Sequence, residues 1–168
     1  MKFYHVDRLK RLATGQVVEC NKEILGLDSL LGYSKVTQHG HFYLREVVPA
    51  GTDSNGMSIN GALEVFFEAI RLNSFRERPS RFQSLFAYIN IDEAIALREN
   101  NANNKECPIW EVEAVEYFCA DMNLLKFGLN GIDAFSNAHK YWSGDGSKQP
   151  LWEYLLVSPI TVIGQYKG

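Results

Sequence analysis

The sequence predicts an α+β fold. Segments whose side chains alternate as in β-strands are separated by two or three segments with the periodicity of helices. The 168 residues suffice for one domain with its own core, and no linker, repeat or low-complexity tract divides them. The composition, 46% hydrophobic and 22% charged, is typical of a globular protein rather than a disordered one. We therefore expect residues 1–168 to form a single domain.

Charge and cysteine content indicate the cellular setting. The net charge of −3 gives no global basic field for nucleic-acid binding, although it leaves room for a local basic patch. Cys20, Cys107 and Cys119 are odd in number and widely spaced, which favours free thiols in a reducing compartment. No stretch has the apolar length of a signal peptide or a membrane span. The sequence therefore predicts a cytoplasmic protein without membrane contact.

The first element is a short strand over Lys2–Val6. Asp7 can cap a short helix over residues 8–14, which Gly15 would close. His5 then falls where the strand ends and offers one donor and one acceptor for a ligand. The alternative is a half-buried histidine that hydrogen-bonds only to backbone.

The middle of the chain contains the clearest helix. A strand is predicted over residues 41–48, followed by a helix over residues 62–75 whose apolar side chains recur at helical spacing. His39 and His41 are two residues apart and have no cysteine or carboxylate partner at ligand spacing. We therefore predict no metal site.

A basic turn precedes the next strand. Arg76, Arg78 and Arg81 surround a proline, and they form either a solvated turn or an anion site, because arginine forks suit phosphates. A strand is predicted over residues 81–88, and Asn90 can cap the helix that follows.

The C-terminal half alternates strands with one helical region. Residues 109–115 alternate cleanly, with Glu111 and Glu113 on the solvent face and without a catalytic role. Residues 121–142 are predicted to be largely helical, and residues 160–166 to form the last strand.

The strand predicted within residues 151–159 contains the most informative residue. Both of its faces are apolar, which is typical of a central strand covered on both sides. Glu153 is the exception, because burying an unpaired carboxylate costs several kcal/mol or more. It must be paired, lie at an open strand end, or carry chemistry. A solvent-facing glutamate, or one salt-bridged to an arginine, is the structural alternative to a catalytic role.

Three short segments, in this order, resemble the ADP-ribosyltransferase superfamily. They are Tyr4-His5, Leu85-Phe86-Ala87 before a helix, and the Trp-Glu-Tyr-Leu-Leu-Val segment that contains Glu153. The similarity is to the poly-ADP-ribosyltransferase-like and diphtheria-toxin-like branch, whose core has histidine, tyrosine and glutamate on three strands. The chain also resembles a small bacterial domain family of that superfamily that includes toxins of phage-defence systems.

The resemblance implies a split β-sheet, mixed or antiparallel, with NAD as the substrate and Glu153 as the catalytic residue. It also implies that His5 and Tyr4 bind NAD. Arg8 and the Arg78/Arg81 pair are candidates for the pyrophosphate on their charge and position alone. The chain departs from the branch where its tyrosine is expected, because Leu85 or Phe86 stands there. Stacking on the nicotinamide would then come from Phe86 or from another aromatic residue: Tyr88, Tyr141 or Trp142. If the segment follows the serine-motif branch instead, Ser84 is the matching residue.

The implied activity is mono-ADP-ribosyl transfer from NAD to a macromolecular acceptor, RNA or protein. A toxin of this kind would also imply an antitoxin partner. An NAD glycohydrolase and a non-catalytic binding module with a degenerate NAD site are the alternatives. A local basic patch for a nucleic-acid acceptor is predicted from Lys10, Arg11, Arg71, Arg76, Arg78 and Arg81.

Overall fold

The computed structural model describes residues 1–24, 26, 28–45, 51–52, 58–59, 61–100 and 105–167. The predicted α+β class is confirmed, and every strand pair in the described part of the chain is antiparallel. The strands are β1 (Lys2–Val6), β2 (Val17–Val18), β3 (Lys22–Glu23), β4 (Lys35–Val36), β5 (Gly51–Thr52), β6 (Ser58–Ile59), β7 (Ser84–Ala87), β8 (Ile109–Glu113), β9 (Tyr117–Asp121), β10 (Trp152–Val157) and β11 (Ile160–Gln165). The helices are α1 (Asp28–Leu31), α2 (Gln38–Arg45), α3 (Gly61–Ser74), α4 (Ile91–Asn100) and α5 (Gly131–Ser143).

Two antiparallel sheets form the centre of the structure. One has the strand order β1-β8-β11-β2 and the other the order β7-β10-β9. They meet at a single bridge between Tyr4 and Tyr88, whose backbone N–H and C=O groups exchange hydrogen bonds of 2.7 and 2.9 Å. The middle of β1 therefore lies beside the end of β7.

The three-stranded sheet is covered on both faces, as predicted for the strand that contains Glu153. Leu156 of β10 packs with Phe3 and Val112 of the other sheet in one buried cluster. Leu155 points the opposite way and packs against side chains of α3 and α5. Glu153 shares the face of Leu155, so it points toward these two helices.

One predicted strand is wrong. Helix α2 covers residues 38–45, so residues 41–45 of the predicted 41–48 strand are helical. Residues 46–48 lie outside the described residues. Thr37 stabilises the start of this helix, because its Oγ1 accepts the N–H of Gly40 at 3.1 Å. A Cβ on Gly40 would lie 2.0 Å from the carbonyl oxygen of Phe82, so only glycine allows this close approach. The described chain thus has four helices of at least eight residues, not two or three.

Three other segments differ from the predicted secondary structure. Residues 8–14 are irregular rather than helical, because the Oδ2 of Asp7 accepts the N–H groups of Arg11 and Leu12 in a local turn. Within residues 121–142, which were predicted to be largely helical, the helix begins only at Gly131, and Asp121 is the last residue of β9. The strand predicted over residues 81–88 begins only at Ser84, because Arg81–Gln83 form a 3-10 turn before β7.

No helix in the described ranges is long and apolar enough to cross a membrane.

Candidate functional site

Glu153 is buried in the middle of the three-stranded sheet. Its backbone pairs with Ala120 of β9, and only 2% of the residue is exposed. A carboxylate at this depth loses its hydration, so it needs partners from the protein.

Arg81 is the charged partner of Glu153. The turn that carries it begins at Ser80, whose Oγ accepts the N–H of Phe82. Arg81 Nη1 lies 2.5 Å from Glu153 Oε1, while Nε and Nη2 donate to the carboxylate of Glu64 at 2.6 and 3.1 Å. The arginine therefore holds two buried carboxylates at once. Glu153 therefore does not face solvent but is salt-bridged to an arginine.

Tyr141 of α5 completes the group. Its hydroxyl donates to Glu153 Oε1 at 2.8 Å and accepts a hydrogen bond from Arg81 Nη1. Burial, together with the nearby carboxylate of Glu153, raises the pKa of Tyr141 well above its ordinary value despite the opposing effect of Arg81. The phenol thus keeps its proton and remains a donor.

We call Glu64, Arg81, Tyr141 and Glu153 the Glu153 cluster. Burial opposes the charge on Arg81, but the carboxylates of Glu153 and Glu64 hold its pKa well above its usual value. With ionised side chains, one cation and two carboxylates leave a formal charge of −1. A surplus negative charge in a poorly hydrated site favours a positive charge that forms next to it.

Phe86 connects the Glu153 cluster to the edge of the other sheet. The guanidinium carbon of Arg81 lies 4.1 Å from the centre of its ring, and the ring of His39 meets it edge-on at 4.6 Å. The carbonyl oxygen of Phe86 lies 2.6 Å from His5 Nδ1. Because a carbonyl only accepts hydrogen bonds, Nδ1 carries the proton and Nε2 is the acceptor in the neutral ring.

A cavity of about 250 Å³ opens between the end of β1, the chain that follows it and the start of α2. Arg8 reaches across to α2, where its Nη2 donates to the hydroxyl of Tyr43 at 2.8 Å. The wall includes both histidines that neighbour Phe86, together with several charged side chains: His5, His39, Asp7, Arg8, Arg11, Glu19 and Lys22.

A family model described as "Protein of unknown function (DUF2441)" matches residues 3–167. The chain belongs to this family. No curated protein matches its sequence. The matched region contains every residue of the Glu153 cluster and of the cavity wall, so both lie within the DUF2441 domain.

The DUF2441 fold brings most of the predicted site residues together. Arg81 contacts both Glu153 and Phe86, and His5 bonds to the backbone of Phe86. Arg8 lines the cavity with His5. These five residues come from three separate segments, and their proximity results from the pairing of β10 with β7 and the bridge from β7 to β1.

Tyr4 and Ser84 were also predicted for the site, and the structure places their side chains elsewhere. Tyr4 alternates with His5 on β1 and packs edge-to-face on Tyr166 at 6.0 Å. Ser84 is fully buried, and its hydroxyl donates to the carbonyl of Ser80 at 2.8 Å. Neither side chain contacts the Glu153 cluster through the hydrogen bonds or ring contacts of the described residues.

The arginines differ from their expected roles. Arg81, predicted for the pyrophosphate, is 3% exposed and donates from all three of its nitrogens to Glu64, Tyr141 and Glu153. Arg71 is likewise buried and pairs with Glu68 at 2.8 Å. The basic patch predicted from the sequence therefore loses these two members.

Sequence reasoning missed Glu64 and His39. Glu64, Glu68 and Arg71 are all buried on α3. They recur at i, i+4 and i+7, and this polar stripe beside the apolar one is the sequence pattern from which Glu64 could have been predicted. From the sequence, His39 is weighed only for metal binding, and a strand rather than a helix is predicted after it. Tyr141 was considered only for ring stacking, whereas its hydroxyl contacts Glu153.

The two buried histidines predict acid sensitivity. Burial lowers the pKa of His5, and burial with the charges of Arg8 and Arg81 lowers that of His39 further. Below the ordinary histidine pKa of about 6.5, the unfolded chain therefore binds more protons than the folded one, so stability falls as the pH falls. We expect the free energy of unfolding to drop by about 1–3 kcal/mol between roughly pH 7 and pH 5.5.

Urea denaturation at the two pH values measures this loss. Replacing the exposed His139 by Gln should leave the pH dependence unchanged, whereas His39→Gln should reduce it. Equal stability of the wild-type protein at both pH values would contradict the prediction.

Proposed function

We propose that this protein is an NAD-dependent mono-ADP-ribosyltransferase that transfers ADP-ribose to a macromolecular acceptor, RNA or protein. The observation that supports this most directly is the buried Glu153 cluster, with its formal charge of −1. It contacts Phe86, whose backbone binds His5, so residues that the sequence resemblance relates to NAD are neighbours. We further propose a role as a toxin in phage defence, with an antitoxin protein as its partner.

The arrangement of strands supports an ADP-ribosyltransferase-like split sheet as part of this proposal. The strand of His5 meets the strand of Phe86 at one bridge, and the latter pairs with the strand of Glu153. The strand of Phe86 thus lies between the strand of His5 and the strand of Glu153. The two sheets separate between β1 and β7.

The reaction breaks the bond between C1′ of the nicotinamide ribose and the ring nitrogen of nicotinamide. The bonding electron pair leaves with nicotinamide, so positive charge develops on the ribose. An oxygen or nitrogen of the acceptor then forms the new bond to C1′ and gives up its proton to Glu153 or to water. A carboxylate beside the ribose stabilises this cationic transition state more than the substrate, and that difference lowers the barrier.

Arg81 and Tyr141 act as positioning residues for Glu153 in this mechanism. Both donate hydrogen bonds to the same oxygen, Oε1, from the turn before β7 and from α5. Two donors from different elements restrict the rotation of the carboxylate. Glu64 offsets the charge of Arg81, so the arginine orients Glu153 without cancelling the negative charge of the cluster.

Removing the hydroxyl of Tyr141 tests this positioning. We expect Tyr141→Phe to lower kcat by about 10-fold with little change in KM for NAD, because the ring stays while one of two donors to Glu153 is lost. Steady-state nicotinamide release measures both constants. Tyr117→Phe, at a residue that is 44% exposed, is the matched control. An unchanged kcat in Tyr141→Phe would remove Tyr141 from the mechanism.

One observation favours a second candidate, a non-catalytic NAD-binding module. Glu153 is 2% exposed, and its Oε1 accepts two hydrogen bonds within the protein. An ion pair of this kind is also what a purely structural glutamate forms. An NAD glycohydrolase shares the bond cleavage described above and differs only because water attacks C1′.

A single assay separates the three activities. Purified protein is incubated with NAD labelled in the ADP-ribose part, together with total RNA or cell lysate, and nicotinamide release is followed in parallel. Label in RNA or in a protein band supports transfer and identifies the acceptor class. Nicotinamide release without labelled macromolecules identifies the glycohydrolase, and the absence of NAD consumption leaves the binding module. Growth arrest on expression tests the toxin role.

A further inference from the structure

The outward side of α3 has the composition of an interface rather than of a solvated surface. A helix at the surface of a protein normally directs its charged residues toward water. On α3 this distribution is reversed, because all three of its charged residues are buried: Glu64, Glu68 and Arg71. The exposed positions that recur at helical spacing are uncharged: Ala62, Val65, Ala69 and Asn73.

Helix α5 continues this surface. Its exposed residues at i, i+3, i+4 and i+7 are Ile132, Phe135, Ser136 and His139. Phe66 of α3 joins the two helices, because its ring centre lies 5.4 Å from that of Phe135. Leu129, just before α5, is 98% exposed. We call Val65, Ala69, Leu129, Ile132, Phe135 and His139 the α3/α5 face.

The size of the α3/α5 face is that of an interaction site. Ile132 is 82% exposed, Phe135 53% and Val65 47%. With Leu129, these apolar residues present roughly 500 Å² to solvent, and contiguous apolar patches of that size are often functional. A shallow groove of about 680 Å³ over the exposed side of α5 can accept side chains of a partner.

We propose that the α3/α5 face is the contact surface of a homodimer, in which it packs against the same face of a second copy of this chain. Two faces of roughly 500 Å² bury about 1,000 Å² in total, which reaches the lower limit of a specific protein–protein interface. The face is self-complementary, because two uncharged apolar surfaces meet without placing like charges opposite one another. A strongly charged partner, such as a nucleic acid, finds no countercharge on it.

The dimer contact is separate from the candidate catalytic group. Glu64 and Tyr141 of the Glu153 cluster lie on the buried sides of the same two helices. The α3/α5 face shares no residue with that cluster or with the wall of the cavity beside His5. The inference therefore goes beyond the proposed function and does not depend on it.

Sedimentation velocity of the full chain, over protein concentrations from about 1 to 100 µM, tests the dimer. We expect the mass to rise from the 19.1 kDa of one chain to twice that value, with half of the protein dimeric at about 1–10 µM. Ile132→Glu should weaken association at least about 100-fold, because each dimer then buries two unpaired carboxylates. Circular dichroism verifies that the variant folds, as expected for so exposed a position.

Val115→Glu is the matched control for Ile132→Glu. It introduces the same carboxylate at an apolar residue that is 91% exposed but lies between β8 and β9, outside the α3/α5 face. Its association should equal that of the wild type. A wild type that stays monomeric at about 100 µM, or a dimer that persists unchanged in Ile132→Glu, would overturn the proposal.

An equimolar mixture of Ile132→Glu and Ile132→Lys shows whether the face meets itself. Each variant alone places like charges in one interface, whereas a mixed dimer places opposite charges there. We therefore expect the mixture to associate at least about 10-fold more tightly than either variant alone. Equal association of the mixture and the single variants would reject the self-complementary contact. All these measurements are made without NAD, so their failure and the failure of the proposed function are distinguishable.

Discussion

Replacing Glu153 by Gln is expected to lower the rate of ADP-ribose transfer from NAD by about 10²–10⁴-fold while the protein remains folded. The amide is nearly the same size as the carboxylate, and its oxygen can still accept from Arg81 and Tyr141. What changes is the charge of the cluster, from −1 to zero, so the transition-state cation loses its stabilisation. Nicotinamide release and label transfer, at saturating NAD, measure the loss.

Glu113→Gln is the matched control for this experiment. It makes the same chemical change on β8 at an exposed residue, so its transfer rate should equal that of the wild type. Circular dichroism and urea denaturation establish that both variants fold. Wild-type rates in Glu153→Gln would reject the catalytic role and leave Glu153 as a structural ion-pair partner.

Replacing Arg81 by Met is expected to lower the free energy of unfolding by about 3–5 kcal/mol. The guanidinium is 3% exposed, and it is the cation shared by Glu64 and Glu153. Its removal leaves two carboxylates buried without a countercharge, and the apolar methionine fills much of the space without replacing the hydrogen bonds. Urea denaturation at neutral pH measures the change.

Two further variants show whether buried charge causes this loss. Arg76→Met changes an exposed arginine, so we expect a loss of at most about 0.5 kcal/mol. Adding Glu64→Gln to Arg81→Met removes one of the unpaired carboxylates and should recover part of the stability, a coupling that a double-mutant cycle measures. If the double variant instead loses as much stability as the two single variants together, packing and not buried charge is responsible.

Elements with a strong local pattern were predicted correctly. α3 shows apolar side chains at helical spacing, and β8 and β10 alternate between faces, so a short window of sequence suffices for each. α2 was predicted as a strand because its stability comes from outside that window. Thr37 caps it, and Gly40 lets it approach the backbone of Phe82, which is far away in the chain.

The sequence by itself determined that Glu153 lies on a central strand and needs a partner, because a lone carboxylate between two apolar faces is costly wherever the strand packs. Which partners it has was decided only by the tertiary structure. Tyr141 is 12 residues from Glu153 and Arg81 is 72, while Glu64 is a further 17 residues from Arg81. Hydrogen bonds over such separations depend on how α3, α5 and the turn before β7 pack on one face of β10, and no local pattern encodes that packing.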